Sequence, residues 1–413
     1  MSSRDALDEL IATLGAAAVR TDPDEIAGHV VPWRGDPGDA RAVVRPADTD
    51  EVRTVVGWAR RHRVRLVPQG ANAGLVGAST PPAGSGAVVL SLVRLHREPV
   101  IDVADRTAVV DAGVRLSELN QAAARHGLCL PIDLAADPTL GGMAATNTGG
   151  ARMLRHGDMR RAVLGVRAVL ADDGCSVVDE LTTLRKHNVG PSIGALLIGS
   201  GGAFGIITSV TVELQPLPAD RACAWMIPRS DDAVVGCLAR LENDRGDDLS
   251  AFEAVSAEAL DAARSLPSVG AGPFGVGPAP SRSILVEFEG RAGAESRLVD
   301  ALAGLCGDGL IDDAVVLPPD AAWAVRHGVS EGLAQRGTVV GFDVSVPRSA
   351  LPALVHDVRR AVAAELPRAV VADFGHWGDG GVHCNLCVPH VDGGPVPPTP
   401  GERAAARELV LGL

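Results

Sequence analysis

Tyrosine is absent from the 413 residues, lysine occurs once, at Lys186, and all aromatic residues together make up 3%. No basic stripe interleaved with aromatics appears. With a formal net charge of −13 and a pI near 5.3, the chain is a poor match for nucleic acid, whose binders cluster cations against the phosphates. Docking on an anionic membrane surface is disfavoured for the same reason. No apolar run approaches a bilayer-spanning length, and the opening MSSRDALDELIATLG places acids where a secretory signal keeps an unbroken apolar core. A cytoplasmic protein is expected. Seven cysteines at scattered spacings form no disulfide framework and suit a reducing compartment. Neither Gly-x-Gly-x-x-Gly at a strand-to-helix turn nor Gly-x-x-x-x-Gly-Lys-Ser/Thr occurs, which disfavours a Rossmann nucleotide site and a P-loop.

What is present is enough apolar sequence, 46%, for two domain cores. Leu7, Leu10, Ile11 and Leu14 share one face of a helix expected over Arg4 to Leu14. Arg41 to Pro46 reads as a strand, Asp48 and Glu51 as the cap of a helix carrying Val52, Val55, Val56 and Ala59, and VRLVPQG as the returning strand. After a helix near Leu116 to His126, GLCLPIDLAADPTLGGMAATNTGG is expected to be loop, and VLGVRAVLADDGCSVV a hairpin turning at Asp172 to Gly174. Pro216 and Pro218 mark a linker, which divides the chain into 1–217 and 218–413. The second half, with strands such as SILVEFEG, TVVGFDVSVP and VHCNLCVP, suggests an α+β layer: an antiparallel sheet covered on one face.

Three glycine clusters stand out. In PQGANAGLVGAS, Gly70, Gly74 and Gly77 recur in a loop without Lys or Arg. A diphosphate can be held by main-chain N–H groups alone where glycine permits close approach and positive φ. Taken by itself, an ordinary glycine-rich turn explains this loop equally well. In DPTLGGMAATNTGG, the tiny residues suit a flat ligand laid on the main chain, with Thr146 and Asn147 giving directed hydrogen bonds. The third cluster, LLIGSGGAFGIIT, precedes a strand.

Near the end, FGHWGDGGVHCNLCVP alternates so that His383, Asn385 and Cys387 share one strand face while Cys384 takes the other. His376 approaches from the preceding glycine turn. Two imidazoles can share one divalent metal, such as zinc, and a hydrogen-bonded histidine pair is the alternative. The Cys-x-x-Cys thiols face opposite ways, which favours core packing over a thiol site.

With its PQG loop, GG-M-x-A-T-N-T-GG loop and IGSGGAFGIIT strand in this order, the sequence resembles the FAD-linked oxidases of the p-cresol methylhydroxylase and vanillyl-alcohol oxidase type, above all the D-2-hydroxyglutarate and D-lactate dehydrogenases. The resemblance implies a two-subdomain FAD-binding domain, with its core at about 41–217, and an α+β cap domain that binds substrate. It implies non-covalent FAD contacts from Gln69, Gly70, Ala71, Asn72, Ala73, Gly74 and Leu75 and from Asp133, Gly141, Gly142, Ala145, Thr146, Asn147, Gly149 and Gly150, with Ile206 and Ile207 flanking the cofactor. Ala71 and Ala73 stand where relatives often have Gly and Thr.

The family's Gly-His-x-Gly-Asp-Gly-x-x-His-x-Asn motif is matched from Gly375 to Asn385, which makes His376 and His383 metal ligands and places Asn385 on the substrate. AVRHGVSEGL matches the segment whose arginine and hydroxyl hold the substrate carboxylate, here Arg326 and Ser330, although a surface ion pair also accounts for Arg326. Gly341 replaces the lysine that receives a second substrate carboxylate. The family's remaining metal ligand and its proton-accepting histidine belong to a Glu-His-Gly segment that is not found up to Leu413, so a C-terminally shortened chain is expected. The implied function is oxidation of a 2-hydroxy acid by hydride transfer to FAD. The electron acceptor is unidentified and a homodimer is left open. A catalytically silent flavin binder and an oxidase of a sugar acid or alditol stand beside it.

Overall fold

Asp48 accepts the Glu51 amide at 2.9 Å and the Glu51 carboxylate reaches back to the Ala47 amide at 2.7 Å, so the helix Thr49–His62 starts where its capping residues stand. Its apolar stripe, Val52, Val55, Val56, Trp58 and Ala59, is buried. In the computed structural model, residues 3–33, 36–134, 136–390 and 398–412 are described, with side chains from Ala6 onward. The chain forms two compact units, 1–150 with 156–217 and 151–155 with 218–413.

In the first unit, strands β1 (Val19–Arg20), β2 (Ala42–Val44), β3 (Leu66–Gln69) and β4 (Val88–Ser91) make a sheet in the order β1-β2-β4-β3. β2, β3 and β4 run parallel, because the helix Thr49–His62 carries the chain back between β2 and β3. Next come β5 (Val100–Asp102), β6 (Thr107–Asp111), β7 (Leu128–Cys129), β8 (Val163–Leu170), β9 (Val177–Asp179), β10 (Gly205–Glu213) and β11 (Gln215–Pro216). Five of these form an antiparallel sheet, β5-β6-β10-β8-β9, while β7 and β11 make a ribbon. β8 and β9 pair across the turn at Asp172 to Gly174.

The segment expected to be loop between Gly127 and Gly150 contains a helix, Leu140–Thr146. Its small residues serve packing: a Cβ on Gly141 would stand 2.5 Å from the Ala112 Cβ, and Leu140, Met143 and Ala144 lie in the core against β10. Asn147 ends the helix at φ 51°, the left-handed conformation that Asn tolerates.

The second unit holds one antiparallel sheet of β12 (Asp220–Pro228), β13 (Leu249–Ser256), β14 (Arg282–Gly290), β15 (Ile311–Leu317), β16 (Gly337–Ser345), β17 (Val370–Gly375) and β18 (Gly381–Pro389), in the order β15-β12-β14-β13-β17-β18-β16. Helices cover both faces rather than the one expected. Ala222, Ala224 and Met226 of β12 pack with the helices Asp231–Arg245 and Ala294–Gly307, whereas Cys223 and Trp225 pack with Ala257–Arg264 and Pro319–Arg336. The reason lies in the strands, which are apolar at consecutive positions instead of alternating. Cys384 and Cys387 fall on opposite faces in separate clusters. Within this unit Arg152 and Arg221 both donate to the fully buried Glu287, each through Nε at 2.8 Å.

Candidate functional site

The three glycine clusters meet in the first unit. Gly70 lies so close to the second cluster that a Cβ on it would stand 2.0 Å from Thr139 Oγ1, and a Cβ on Gly202, at φ 85°, would touch the Pro68 ring at 2.7 Å. The amides of Gly199 and Gly201 donate to the Ala144 and Ala145 carbonyls at 3.0 and 2.8 Å, so the third cluster closes the C-terminal end of the glycine-rich helix.

The loop after β3 is shaped by two side chains. Buried Gln69 donates through Nε2 to the His29 and Ser79 carbonyls at 2.9 and 2.7 Å, and its oxygen meets His29 Nδ1. Asn72, at φ 54°, donates to the Val31 carbonyl at 3.0 Å and accepts from Ser79 Oγ at 2.8 Å. Both side chains, expected to meet the cofactor, are thus occupied in holding the loop. By contrast, the backbone amides of Gly70, Ala71, Asn72, Ala73, Gly74 and Leu75 donate to no acceptor among the described residues. A row of unengaged amides next to the buried, unpartnered hydroxyl of Thr139 fits the diphosphate of a dinucleotide.

Apart from Asp133, whose backbone Gly150 meets, the remaining expected cofactor residues fall into two groups. Gly142, Ala145, Thr146, Asn147, Gly149 and Gly150 remain at least partly exposed along or just after the helix Leu140–Thr146. Thr146 Oγ1 donates to the Gly142 carbonyl at 2.9 Å, Asn147 caps the chain toward Asp158 and Arg160, and Gly150 packs on the Asp133 backbone. Gly141, Ile206 and Ile207 are buried, and the two isoleucine side chains belong to separate core clusters. Their backbone pairs with β8 on one side, opposite Val169 and Ala168, while the ladder to β6 on the other side begins only at Ser209.

In the second unit the catalytic candidates gather on the sheet face under the helix Pro319–Arg336. Gly332 lets that helix press onto Ala257–Arg264, and about one and two-thirds turns earlier Arg326 is buried against the sheet. Arg326 is 8% exposed, and its Nε donates to Glu253 Oε2 at 2.6 Å while the guanidinium lies 4.5 Å from the Phe374 ring centre. It does sit in an ion pair, but a buried one. Its two terminal nitrogens make no hydrogen bond among the described residues. Ser330, one helical turn on, is solvent-exposed.

His376 follows β17 in a turn made possible by Gly375 at φ 134° and Gly380 at φ 94°, where a Cβ would stand 2.4 Å from the Val346 carbonyl oxygen. Its Nδ1 meets the other Glu253 oxygen, Oε1, at 2.5 Å. The His376 and His383 rings lie edge to face with centres 5.0 Å apart, and His383 Nδ1 is 3.6 Å from Asp343. Asn385 is buried and donates to the Ala372 and His383 carbonyls at 3.4 and 3.3 Å, leaving only Oδ1 for a ligand.

Burial would raise the Glu253 carboxyl, but the charges of His376 and Arg326 and their hydrogen bonds outweigh it and hold the group at about 2. Burial opposes protonation of His376, and the Glu253 carboxylate reverses that, raising the imidazole above its ordinary value. Asp379 and Asp343 are raised by burial, against the pull of His376.

Zinc finds no support here. The two histidines do converge, yet among the described residues no group of three His, Cys, Asp or Glu is arranged to hold a metal ion. A zinc site needs at least three protein ligands, so no step is derived through a metal. Sequence reasoning had passed over Glu253. A lone acid inside the apolar strand LSAFEAVS was its signal, because a buried carboxylate demands partners.

A family described as FAD binding domain matches residues 40–178, and FAD linked oxidases, C-terminal domain, matches 217–403. D-2-hydroxyglutarate dehydrogenase, mitochondrial, of Bos taurus is 32% identical over 89% of this chain and 68% of its own length. D-2-hydroxyglutarate dehydrogenase of Xanthomonas citri pv. viticola is 33% identical over 91% and 79%. A putative D-lactate dehydrogenase, mitochondrial, of Schizosaccharomyces pombe is 31% identical over 90% and 73%. Among solved structures, alkyldihydroxyacetonephosphate synthase superposes with a TM-score of 0.75 at 16% identity, covering 100% of this chain and 79% of that one. p-Cresol methylhydroxylase with substrate bound gives 0.72 at 14% identity, covering 99% and 86%. These two likenesses establish the fold, and no helix among the described residues is long and apolar enough to cross a membrane. With both domains matched in order and relatives above 30% identity along most of its length, the chain belongs to the FAD-linked oxidase family, alongside the D-2-hydroxyglutarate and D-lactate dehydrogenases, and is an FAD-dependent oxidoreductase.

Proposed function

We propose that this chain oxidises a 2-hydroxy monocarboxylic acid of the D-lactate type to the 2-oxo acid. The single observation that carries the substrate class is Arg326: a buried guanidinium whose Nε is fixed and whose terminal N–H groups have no acceptor among the described residues. Two parallel N–H donors match a carboxylate better than any other side chain does. The imidazole of His376, held by the other oxygen of the same Glu253, is the neighbouring group for the 2-hydroxyl.

In this proposal the arginine holds the carboxylate, with Ser330 and the Asn385 oxygen available to orient the acid. His376 Nε2 accepts the hydrogen bond of the 2-hydroxyl and, as the C2 hydrogen departs with its electron pair, the hydroxyl proton. FAD supplies the two-electron acceptor for that hydride. The amides of Gly70 to Leu75 hold its diphosphate, with Gly74 open enough that a Cβ would touch nothing within 4 Å.

A monocarboxylate is favoured over a dicarboxylate by the edge strand. β16 contains no basic residue, Gly341 stands opposite Asn385, and the charged group it offers is Asp343, opposite His383. A second substrate carboxylate would meet an acid there instead of a lysine.

The test is anaerobic mixing of FAD-loaded protein with D-lactate, D-2-hydroxyglutarate and larger 2-hydroxy acids. Bleaching of the flavin by monocarboxylates at lower concentration than by D-2-hydroxyglutarate is expected. Failure of every 2-hydroxy acid to bleach it, while a sugar acid or alditol does, would refute the assignment.

A further inference from the structure

We infer that the side chain of the 2-hydroxy acid lies across the edge strand β16 over Gly341, and that the acid this site takes carries an apolar side chain of about four carbons or more, longer than the methyl of lactate. The inference rests on the preceding assignment of Arg326 to the substrate carboxylate and adds the group at the other end of the molecule.

The strand register draws the line along which such an acid lies. Cross-strand partners point to the same face of a sheet, and so do residues two apart on one strand. Val255 of β13 stands opposite Phe374 of β17, Ala372 opposite Asn385 of β18, and Asn385 opposite Gly341 of β16. Glu253, Phe374 and Asn385 therefore fall on one diagonal, each a strand and a side chain further than the last. That diagonal reaches β16 between Gly341 and Val339, since Val339 stands opposite Cys387.

Arg326 occupies the first half of the line. Its Nε is bound to Glu253 and its guanidinium lies 4.5 Å from the Phe374 ring centre. A carboxylate held by the terminal nitrogens on the side away from Glu253 is directed toward Asn385. That residue is 3% exposed, and its Oδ1 accepts no hydrogen bond among the described residues. Two buried polar side chains thus present unengaged atoms along the same path.

Reach then separates short acids from long ones. Neighbouring strands are about 4.8 Å apart, roughly four carbon–carbon bonds in zigzag. With C2 beside Asn385, the methyl of lactate ends over β18, and only a longer side chain covers β16. Gly341 is exposed and interrupts the run TVVGFDV in mid-strand, where glycine weakens a sheet and marks the close approach of another group. The β16 to β18 register runs unbroken from Gly337 to Ser345, so the glycine serves no bulge. On one side of it Val339 packs with Cys387, Val329 and Leu333, which makes an apolar wall. On the other stands the exposed acid Asp343, which repels an anionic tail.

The 2-oxo acids report this affinity without turnover. Calorimetric titration of FAD-loaded protein compares pyruvate with 4-methyl-2-oxopentanoate. A fully buried methylene is worth about fourfold in affinity, so three further carbons, partly buried, are expected to lower Kd at least about tenfold. Gly341→Val suits a strand but fills the space over the main chain, and is expected to bring that ratio below about threefold. Val339→Thr keeps the shape of the wall and adds a hydroxyl, and is expected to reduce the ratio at least about threefold.

Pyruvate binding as tightly as the longer acid overturns the inference with no variant needed. An unchanged ratio in folded Gly341→Val, or in Val339→Thr if the first does not fold, also overturns it. Anaerobic mixing with the matching D-2-hydroxy acids keeps the two assignments apart. If pyruvate binds as tightly and D-lactate still bleaches the flavin, the side-chain assignment alone falls. If no 2-hydroxy acid bleaches it, the oxidation falls, while the ratio of the Kd values still decides where the side chain lies. Binding of neither oxo acid overturns both.

Discussion

Gly332 lies so close to Ala262 that a Cβ on it would stand 2.0 Å from the Ala262 carbonyl oxygen, and no side chain other than hydrogen fits between the two helices there. That contact sets how deeply the helix Pro319–Arg336 presses toward the sheet, and therefore where Arg326 ends. Gly332→Ala is expected to cost about 1–3 kcal/mol of stability, the range for overpacking. It should also weaken carboxylate binding, although residue 332 is about nine Å of helix rise from Arg326. Urea unfolding and oxo-acid titration of the flavin spectrum check both; normal affinity in a destabilised variant would show that helix depth does not position the arginine.

Arg326→Ala removes the carboxylate fork and also strips Glu253 of its arginine partner. Loss of a charged hydrogen bond predicts about 1.5–3 kcal/mol weaker substrate binding, roughly 10- to 150-fold. Breaking one side of a buried ion pair predicts a further stability loss of about 3–5 kcal/mol. Thermal unfolding and steady-state KM measure these separately, and bound flavin should remain stoichiometric. An unaltered KM would remove Arg326 from the site.

Gln69→Ala tests the division of labour in the loop after β3. The side chain holds the loop through two carbonyls and His29, so its loss should blur the row of amides and weaken FAD. Two hydrogen bonds of about 1 kcal/mol each amount to roughly 30-fold in affinity. Retained affinity by flavin fluorescence titration of the apoprotein would mean that the amides are ordered without Gln69.

Asp111 gives a pH-dependent prediction. Burial would raise its carboxyl, but hydrogen bonds from the Arg97 guanidinium and amide and from Ser209 outweigh that and hold it below the usual range. A depressed folded pKa contributes stability that is complete above the unfolded value, about 3.9, and is lost as the pH falls through the folded one. Asp111→Asn should therefore be less stable by about 1–3 kcal/mol at pH 6, with the gap narrowing toward pH 3. Denaturant midpoints at the two pH values decide; a gap that stays constant would mean that the charge contributes nothing.

The glycine clusters were legible because a ligand held by the main chain demands small residues, and small residues at three places in an otherwise ordinary composition are visible without a structure. The expected loop proved to contain the helix Leu140–Thr146, whose close approach to Ala112 requires glycine just as firmly as a cofactor does. Strand alternation placed His383 and Asn385 on one face, since that follows from local geometry alone. Coverage of the second sheet on both faces was missed although consecutive apolar residues such as Cys223, Ala224 and Trp225 carried it. Glu253 could be noticed as an anomaly, but its partners lie 73 and 123 residues away, and no local pattern names them.

The five residues 151–155 interrupt the sequence of the first compact body yet belong to the second, where Arg152 shares Glu287 with Arg221. A polypeptide begun at Pro218 would keep only one of those two cations beside a carboxylate shut away from water. Recombination that exchanged the C-terminal half for that of a distant cousin would have to carry a five-residue stretch from deep inside the other half with it.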